Sequence, residues 1–271
     1  MGDTIRLRRQ LETDLRTAIR EETIEVYFQP LINLKHGRIN TCEALVRWLH
    51  PEHGQISPET FVKIAEEAGS INILGEYVLR KSMEACLKWP DHVCVAVNVS
   101  SVQFQTSDVV GTVADLMQSL NFPAHRLDIE VTESIMLENV GEATKTLQDL
   151  SEMGVRISLD DFGTGFSSLS YLHSLPFDKV KIDRSFIENG LANERSLTLL
   201  KGVVDLIKRL GLSVVLEGIE NEKQMEVLSR SVDVNEVQGY LFSRPVPERD
   251  ILTLLNASLR TSSGDDKKRV A

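Results

Sequence analysis

Short apolar runs rich in β-branched residues alternate along this chain with longer amphipathic stretches, and this alternation constrains the fold more than any other feature. Apolar strands separated by helices are typical of a parallel sheet that is covered by helices on both faces. Eight such units close into a (β/α)₈ barrel. The eight predicted strands cover residues 24–34, 39–48, 93–100, 126–133, 155–160, 179–183, 213–218 and 236–242.

The first two predicted strands are separated by the four residues KHGR (35–38) alone. A parallel pair needs a crossover of a dozen or more residues, so these two strands should form an antiparallel hairpin. The predicted fold is therefore an α/β, modified TIM-type (β/α)₈ barrel with an antiparallel first strand. An open doubly wound sheet is the alternative, and it is disfavoured because no GxGxxG or P-loop sequence follows the first parallel strand.

The two ends of the chain differ in character from the barrel segment, which we place at residues 23–258. Apolar residues recur at helical spacing within residues 1–22, for example Leu11 and Leu15. This helix either packs on its own domain or forms a linker to an upstream domain, and the sequence favours neither. The C-terminal segment 259–271 is polar and aperiodic, so we expect a disordered tail.

Charge and cysteine content narrow the classes of partner. The chain has 30 basic and 40 acidic residues and a formal net charge of −10, which disfavours nucleic acid and anionic membrane surfaces. Three cysteines without CxxC spacing fit reduced thiols. No apolar run reaches 18 residues, so we expect a cytoplasmic protein without membrane contact by this chain, with anchoring of a longer protein left open.

Polar and mostly acidic residues stand at the ends of the predicted strands after the first. Because the carboxyl ends of barrel strands converge on one face, these side chains should meet there. Six carboxylates cannot be neutralised by one lysine, and buried charges are costly unless they are paired or bind a metal. The strand-end residues are Glu43, Asn98, Glu130, Asp160, Asp161, Lys181, Asp183, Glu217 and Gln238.

Oxygen ligands without a histidine or cysteine set select Mg²⁺ or Mn²⁺. The adjacent Asp160 and Asp161 allow one carboxylate to bridge two ions while the other holds one of them, as in two-metal hydrolysis. Each residue alone has a simpler explanation: Asp160 fits a turn or a helix N-cap, and Lys181 fits an edge lysine. The recurrence at successive strand ends favours the metal site.

At these residues the sequence resembles the EAL-domain family of cyclic di-GMP phosphodiesterases, over roughly residues 10–255. The motifs that carry the resemblance, in family order, are EALVRW (43–48), NVS (98–100), EVTES (130–134), DDFGTGFSSL (160–169), KIDRSF (181–186), EGIE (217–220) and QGYLFSRP (238–245). The resemblance implies hydrolysis of cyclic di-GMP to linear pGpG with two Mg²⁺ or Mn²⁺ ions. It also implies a homodimer and upstream sensory or GGDEF domains.

The resemblance also assigns roles to individual positions. The implied metal ligands are Glu43, Asn98, Glu130, Asp160 and Asp161. The implied catalytic set is Lys181, which orients or deprotonates the attacking water, with Glu217, Asp183, Gln238 and the loop anchor Glu133. The implied substrate contacts are Gln29, Glu43, Leu45, Arg47, Asp161, Thr164 and Gly165, the last two in the 162–168 loop. Leu216 and Asn235 depart from the usual family pattern without removing a ligand.

Other classes of function remain open on the sequence alone. A non-catalytic cyclic di-GMP receptor would keep the barrel, although such receptors typically lose part of the acidic set or the loop, and here all are present. A scaffolding protein would dock a partner through its helices and would bind no ligand that depends on metal. A glycosidase also places paired carboxylates at a barrel mouth, but the aromatic platforms expected for sugars are missing.

Overall fold

A closed barrel of eight strands lies at the centre of the computed structural model, which describes residues 2–136, 140–164, 169–190 and 193–265. In the barrel the strands follow the order β1-β2-β4-β5-β6-β7-β8-β9, and β9 pairs with β1 to close it; β3 and β10 extend β2 and β1. The strands of the described residues are β1 (Glu25–Asn33), β2 (Arg38–His50), β3 (Gly54–Ile56), β4 (Cys94–Asn98), β5 (Leu127–Thr132), β6 (Arg156–Phe162), β7 (Lys179–Ile182), β8 (Ser213–Leu216), β9 (Glu236–Val237) and β10 (Val246–Pro247).

Helices surround the barrel, and the main core lies between them and the strands. Several begin where capping residues predict, since Asn193 and Asn221 each accept a hydrogen bond from the backbone three residues on. Among the described residues no helix has the length and apolarity needed to cross a bilayer. The α-helices described are α1 (Gly2–Arg20), α2 (Pro58–Glu67), α3 (Ile71–Cys86), α4 (Ser101–Thr106), α5 (Val109–Leu120), α6 (Val140–Glu152), α7 (Leu169–Ser174), α8 (Arg184–Gly190), α9 (Glu194–Arg209), α10 (Glu222–Ser231) and α11 (Glu248–Asp265).

The reversed first strand predicted from the short KHGR connection is confirmed. β1 pairs with β2 in antiparallel register, with Tyr27 opposite Leu45 and Gln29 opposite Glu43. β1 is also antiparallel to β9, whereas the remaining neighbours around the barrel are parallel. The carboxyl ends of seven strands therefore open at one mouth, and β1 runs the other way beside them.

The eighth predicted strand, 236–242, is wrong in its length. Strand β9 ends at Val237, because the following backbone turns to pair with Ile219, the third residue after β8. Ile219 donates to the carbonyl of Gln238 and accepts from the N–H of Leu241. Gly239 permits this approach, since a Cβ there would collide with the backbone of Ile219. The chain thus leaves the sheet at the point where Gln238 reaches the mouth.

The first and last helices both pack against the barrel. Leu11 and Leu15 of α1 are buried, and Asp14 lies 3.1 Å from Nε2 of the buried His50 at the end of β2. The first helix thus packs on the barrel, and whether it also links to an upstream domain stays a prediction. At the other end, α11 continues from the buried Ile251 and Leu255 to Asp265, seven residues into the segment where we expected disorder.

We expect Leu15→Ala to lower the free energy of unfolding by about 2–5 kcal/mol, because it leaves a cavity under α1. Leu7→Ala, on the same helix but 41% exposed, is the matched control and should change it by less than about 0.5 kcal/mol. Urea denaturation followed by circular dichroism measures both. Equal small effects of the two substitutions would mean that α1 does not stabilise the barrel.

Candidate metal centre

Four carboxylates surround one buried ammonium group at the mouth of the barrel. Nζ of Lys181, on β7, lies 2.8 Å from Glu217, 3.0 Å from Glu130, 3.1 Å from Asp160 and 3.4 Å from Glu43. These carboxylates come from four places on the barrel: β2, β5, β6 and the residue after β8. The convergence predicted for these side chains is thus present, although Glu43 lies in the middle of the long strand β2 rather than at its end.

Glu43 is held by amide groups on both of its oxygens. Asn98 donates from Nδ2 to Oε1 at 2.8 Å, and Gln238 donates from Nε2 to Oε2 at 2.6 Å. Gln238 also donates to Oε1 of Gln29 on β1 at 3.2 Å, and Gln29 in turn donates to the carbonyl of Ser243 at 3.1 Å. Residues of β1, β2, β4 and the segment after β9 thus fix the orientation of this one carboxylate.

The carboxylate doublet lies on an irregular part of β6. The pairing of β6 with β7 shifts register between Leu159 and Phe162, and Asp161 has a φ of +53°, in the left-handed region. Its N–H donates to Oδ1 of Asp160 at 3.0 Å. Because this bulge interrupts the alternation of a regular strand, two consecutive side chains can both reach the mouth.

The close packing of these acids in a buried site raises the pKa values of most of them. Burial, together with repulsion from Asp160, raises the pKa of Glu217 to about 8 and that of Asp161 to about 6. Burial also raises the pKa of Glu130 well above its usual value, against the opposing effect of Lys181. Glu43 is the exception, because Lys181 and the amides of Gln238 and Asn98 outweigh burial and lower its pKa. The single positive charge of Lys181 is too little to balance the carboxylates of the cluster.

These residues fit a divalent cation. One carboxylate oxygen each from Glu43, Glu130 and Asp160 lie within 4.8 Å of one another, and so do oxygens from Asp160, Asp161 and Glu217. Oε1 of Glu130 is buried without a hydrogen-bond partner, which is costly for a carboxylate unless a cation is nearby. A set of hard oxygen ligands suits Mg²⁺ or Mn²⁺ rather than Zn²⁺. Asp160 belongs to both groups.

Two cavities lie at this mouth. The first, of about 280 Å³, is lined by the acids Asp160, Asp161, Glu217 and Asp183, and also by Gln29 and Leu45. The second, of about 350 Å³, lies between β2 and the helices α2 and α3. Leu45 lines both cavities, so that a ligand can contact both across this residue.

The structure separates Arg47 from the acidic cluster. Arg47 lines the second cavity together with Asn98, where it donates to the carbonyl of Val46 at 2.9 Å and lies over the ring of Tyr27 at 5.8 Å. It is absent from the lining of the first cavity. The predicted phosphate contact thus lines a different cavity from Glu43, Asp160 and Asp161, whereas the predicted ligand Asn98 lines the same cavity as Arg47.

The loop after β6 is tied to the site at its start. Oε1 of Glu133 accepts a hydrogen bond from the N–H of Gly163 at 2.9 Å, and the hydroxyl of Thr164 donates to the carbonyl of Asp161 at 3.0 Å. Asp183 accepts from the N–H of Ser185 at 2.9 Å. Gly165 and the rest of the predicted 162–168 loop, residues 166–168, lie outside the described residues.

Besides two glycines, sequence reasoning missed three residues that line the first cavity. Arg184 follows Asp183 directly, Tyr240 lies two residues after Gln238, and Glu220 lies three after Glu217. The guanidinium of Arg244 lies over the ring of Tyr240 at 4.3 Å, although Tyr240 is half exposed. The signal for all three was available, since each belongs to a motif that was singled out for a different residue.

The chain belongs to the EAL domain family, whose model matches residues 12–245. It is 38% identical to the cyclic di-GMP phosphodiesterase NbdA of Pseudomonas aeruginosa and 37% identical to the cyclic di-GMP phosphodiesterase PdeR of Escherichia coli, over 88% of this chain in each case and over 31% and 36% of the relatives. The solved PaMucR phosphodiesterase in complex with c-di-GMP is 38% identical, with a TM-score of 0.84 over 90% of this chain and 100% of that one. The chain spans about a third of the length of the curated relatives it matches.

We expect Lys181→Met to lower the free energy of unfolding at neutral pH in chelator by about 3–5 kcal/mol, because it leaves the four carboxylates without their shared counter-charge. The control is Lys88→Met, which removes an exposed pair with Glu248 and should change it by about 1 kcal/mol or less. Chemical denaturation in chelator measures both. An unchanged stability of Lys181→Met would contradict the central role of this ammonium.

Proposed function

We propose that this chain is a metal-dependent phosphodiesterase that hydrolyses cyclic di-GMP to linear pGpG and so lowers this second messenger in bacterial signalling. The observation that carries the proposal is that two sets of three carboxylates, which share Asp160, lie around Lys181 at the barrel mouth. Its support from the comparisons is the likeness to relatives named as cyclic di-GMP phosphodiesterases. A protein that only bound the dinucleotide would not need this set of metal-ligating carboxylates.

The site residues divide into two groups around the proposed ions. Glu43, Glu130 and Asp160 form one group, and Asp160, Asp161 and Glu217 form the other, with Asn98 at the edge of the first. Two Mg²⁺ or Mn²⁺ ions bound there would lower the pKa of an attacking water and offset charge on the phosphate. Gln238 keeps the Glu43 carboxylate in place, and Glu133 holds the start of the 162–168 loop.

Lys181 is the residue that we assign to orient the attacking water, because its ammonium lies within 3.4 Å of a carboxylate from each group and, being protonated, cannot itself accept the proton of the water. The water oxygen loses a proton and forms a new bond to phosphorus, while the bond from phosphorus to one ribose oxygen breaks. That oxygen takes up a proton and becomes a hydroxyl group, which opens the ring to the linear dinucleotide. Asp183 lines the same cavity and would help to hold this water. The positive charge that faces the phosphate would come from the two metal ions, which the carboxylates hold in place.

The substrate would lie across Leu45. Cyclic di-GMP carries two bases at its ends, and the two cavities give it room on both sides of this residue. Gln29 would contact it in the first cavity and Arg47 would contact a phosphate from the second, since a guanidinium grips phosphate with two hydrogen bonds. Thr164, in the loop after β6, would contact the ligand, and the contact of Gly165 stays a prediction from the resemblance.

Partners and location complete the proposal. We infer a homodimer and upstream sensory or GGDEF domains, in line with a chain that spans about a third of its curated relatives. A cytoplasmic site of action fits a soluble second messenger as substrate. The net charge of −10 supports a role without nucleic acid as a partner.

We expect the purified protein to convert cyclic di-GMP to pGpG with Mg²⁺ or Mn²⁺ and not in excess chelator. Asp160→Asn should lower kcat by about 100-fold or more, the scale of losing one group that stabilises charge. Glu226→Gln, an exposed acid on α10, should leave kcat unchanged. Chromatography of the nucleotides measures all three. Tight binding of cyclic di-GMP with no product in either metal would favour the non-catalytic receptor instead.

We expect two Mn²⁺ ions per chain, measured by electron paramagnetic resonance titration without substrate. Glu217→Gln belongs to one carboxylate group only and should weaken one of the two sites, whereas Asp160→Asn belongs to both and should weaken both. The physical reason is that amide substitution removes the ligand charge while keeping the side chain shape. A stoichiometry of one ion in the unaltered protein would exclude the two-metal arrangement.

A further inference from the structure

A second set of buried polar side chains lies inside the barrel beneath the metal centre. Nζ of Lys179 is 3.2 Å from Asp128 and 2.9 Å from Glu236, and the hydroxyl of Ser158 donates to Asp128 at 2.6 Å. All four residues are buried, with at most 7% of the residue exposed. We call Asp128, Ser158, Lys179 and Glu236 the lower layer.

Each member of the lower layer stands two residues before a residue of the metal centre on the same chain segment. The pairs are Asp128 with Glu130, Ser158 with Asp160, Lys179 with Lys181, and Glu236 with Gln238. Residues i and i+2 of a strand point to the same face, about 7 Å apart along it. The lower layer therefore connects β5, β6, β7 and β9 directly below the site to which they contribute.

Filling this space with the lower layer is less favourable in free energy than filling it with apolar side chains. Burying three charged groups costs several kcal/mol each, and apolar residues of similar volume often give equal or greater stability. Burial lowers the pKa of Lys179, but Asp128 and Glu236 more than offset this and raise it above the usual value, so the group is charged. None of the four residues lines either cavity at the mouth. Direct contact with substrate does not explain them.

The geometry points to Lys179 as a positioning residue: by joining Asp128 on β5 to Glu236 on β9, it holds these strands at the heights that bring Glu130, Lys181 and Gln238 together around Glu43, and so sets the affinity for divalent cations. This inference rests on the metal centre of the proposed function. A slip of one strand along another would reverse the facing of its side chains, and ion pairs across three strands oppose such a slip.

The test is Mn²⁺ affinity, measured by electron paramagnetic resonance without substrate, in variants whose folding is checked by circular dichroism. Lys179→Met should weaken Mn²⁺ binding about tenfold or more, the scale of losing a group that orients metal ligands. Lys88→Met, which removes an exposed lysine, is the matched control and should bind as the unaltered protein does. A folded Lys179→Met with unchanged affinity would overturn the inference.

Two further variants separate position from charge and guard against misfolding. In Asp128→Asn/Lys179→Met one negative and one positive charge are removed, so the net charge of the lower layer stays at −1 while both ties of Lys179 are lost. A purely electrostatic role predicts unchanged Mn²⁺ affinity there, and positioning predicts weaker binding. Ser158→Ala removes only one hydrogen bond, should fold, and should weaken Mn²⁺ binding about threefold. Unchanged affinity in either folded variant overturns the inference.

The outcomes also separate this inference from the proposed function. If the unaltered protein binds Mn²⁺ but does not cleave cyclic di-GMP, the proposed activity fails while the role of Lys179 stands or falls on the variants above. If it cleaves the dinucleotide and the lower-layer variants keep full Mn²⁺ affinity, the role of Lys179 alone fails. Absence of Mn²⁺ binding by the unaltered protein would overturn both.

Discussion

One ammonium group shared among four buried carboxylates is the interaction on which this site depends. Lys181 lies within 3.4 Å of all four, and each of these partners comes from a different part of the barrel. Charges so deeply buried are tolerated only when they are paired. A single positive charge cannot balance four negative ones, and the raised pKa values of Glu130 and Glu217 express that shortage. The attraction for further cations follows from the electrostatics of the fold itself.

The bulge in β6 and the lower layer of buried charges both lie next to this centre. The bulge in β6 turns two consecutive carboxylates toward the same mouth, which a regular strand would not allow. Beneath it, Lys179 joins residues of β5 and β9 in an arrangement that repeats the pattern of Lys181 one step lower. The barrel interior is thus ionic over two successive layers, whereas its outer face packs apolar residues against the helices.

Local sequence was enough to predict most of the fold. The spacing of the apolar runs predicted the barrel, and four residues between two strands predicted the reversed β1. The strand ends also predicted which acids would meet. The length of β9 was not predictable, because it depends on a backbone approach between Gly239 and Ile219, which are distant along the chain. The same holds for the place of Arg47 in a separate cavity.

The lower layer was missed for a different reason. Lys179 and Glu236 look like ordinary strand-edge charges in the sequence, and their pairing appears only when β7 and β9 are placed in the same barrel. Arg184 and Tyr240 were overlooked because they adjoin residues with more obvious chemistry. A contact between distant segments can be predicted from one sequence when a repeated pattern marks it, as at the strand ends. The pair of Lys179 and Glu236 has no such pattern.

The left-handed backbone at Asp161 has a consequence for how this barrel can change over evolutionary time. Asparagine, aspartate and glycine are the residues that occupy such a conformation at little cost, whereas β-branched residues are strained there. Variants that retain a well-formed barrel should thus have few options at this site, with asparagine and glycine the least disruptive. The shape of one peptide unit narrows the substitutions that the barrel can accept beside its acidic cluster.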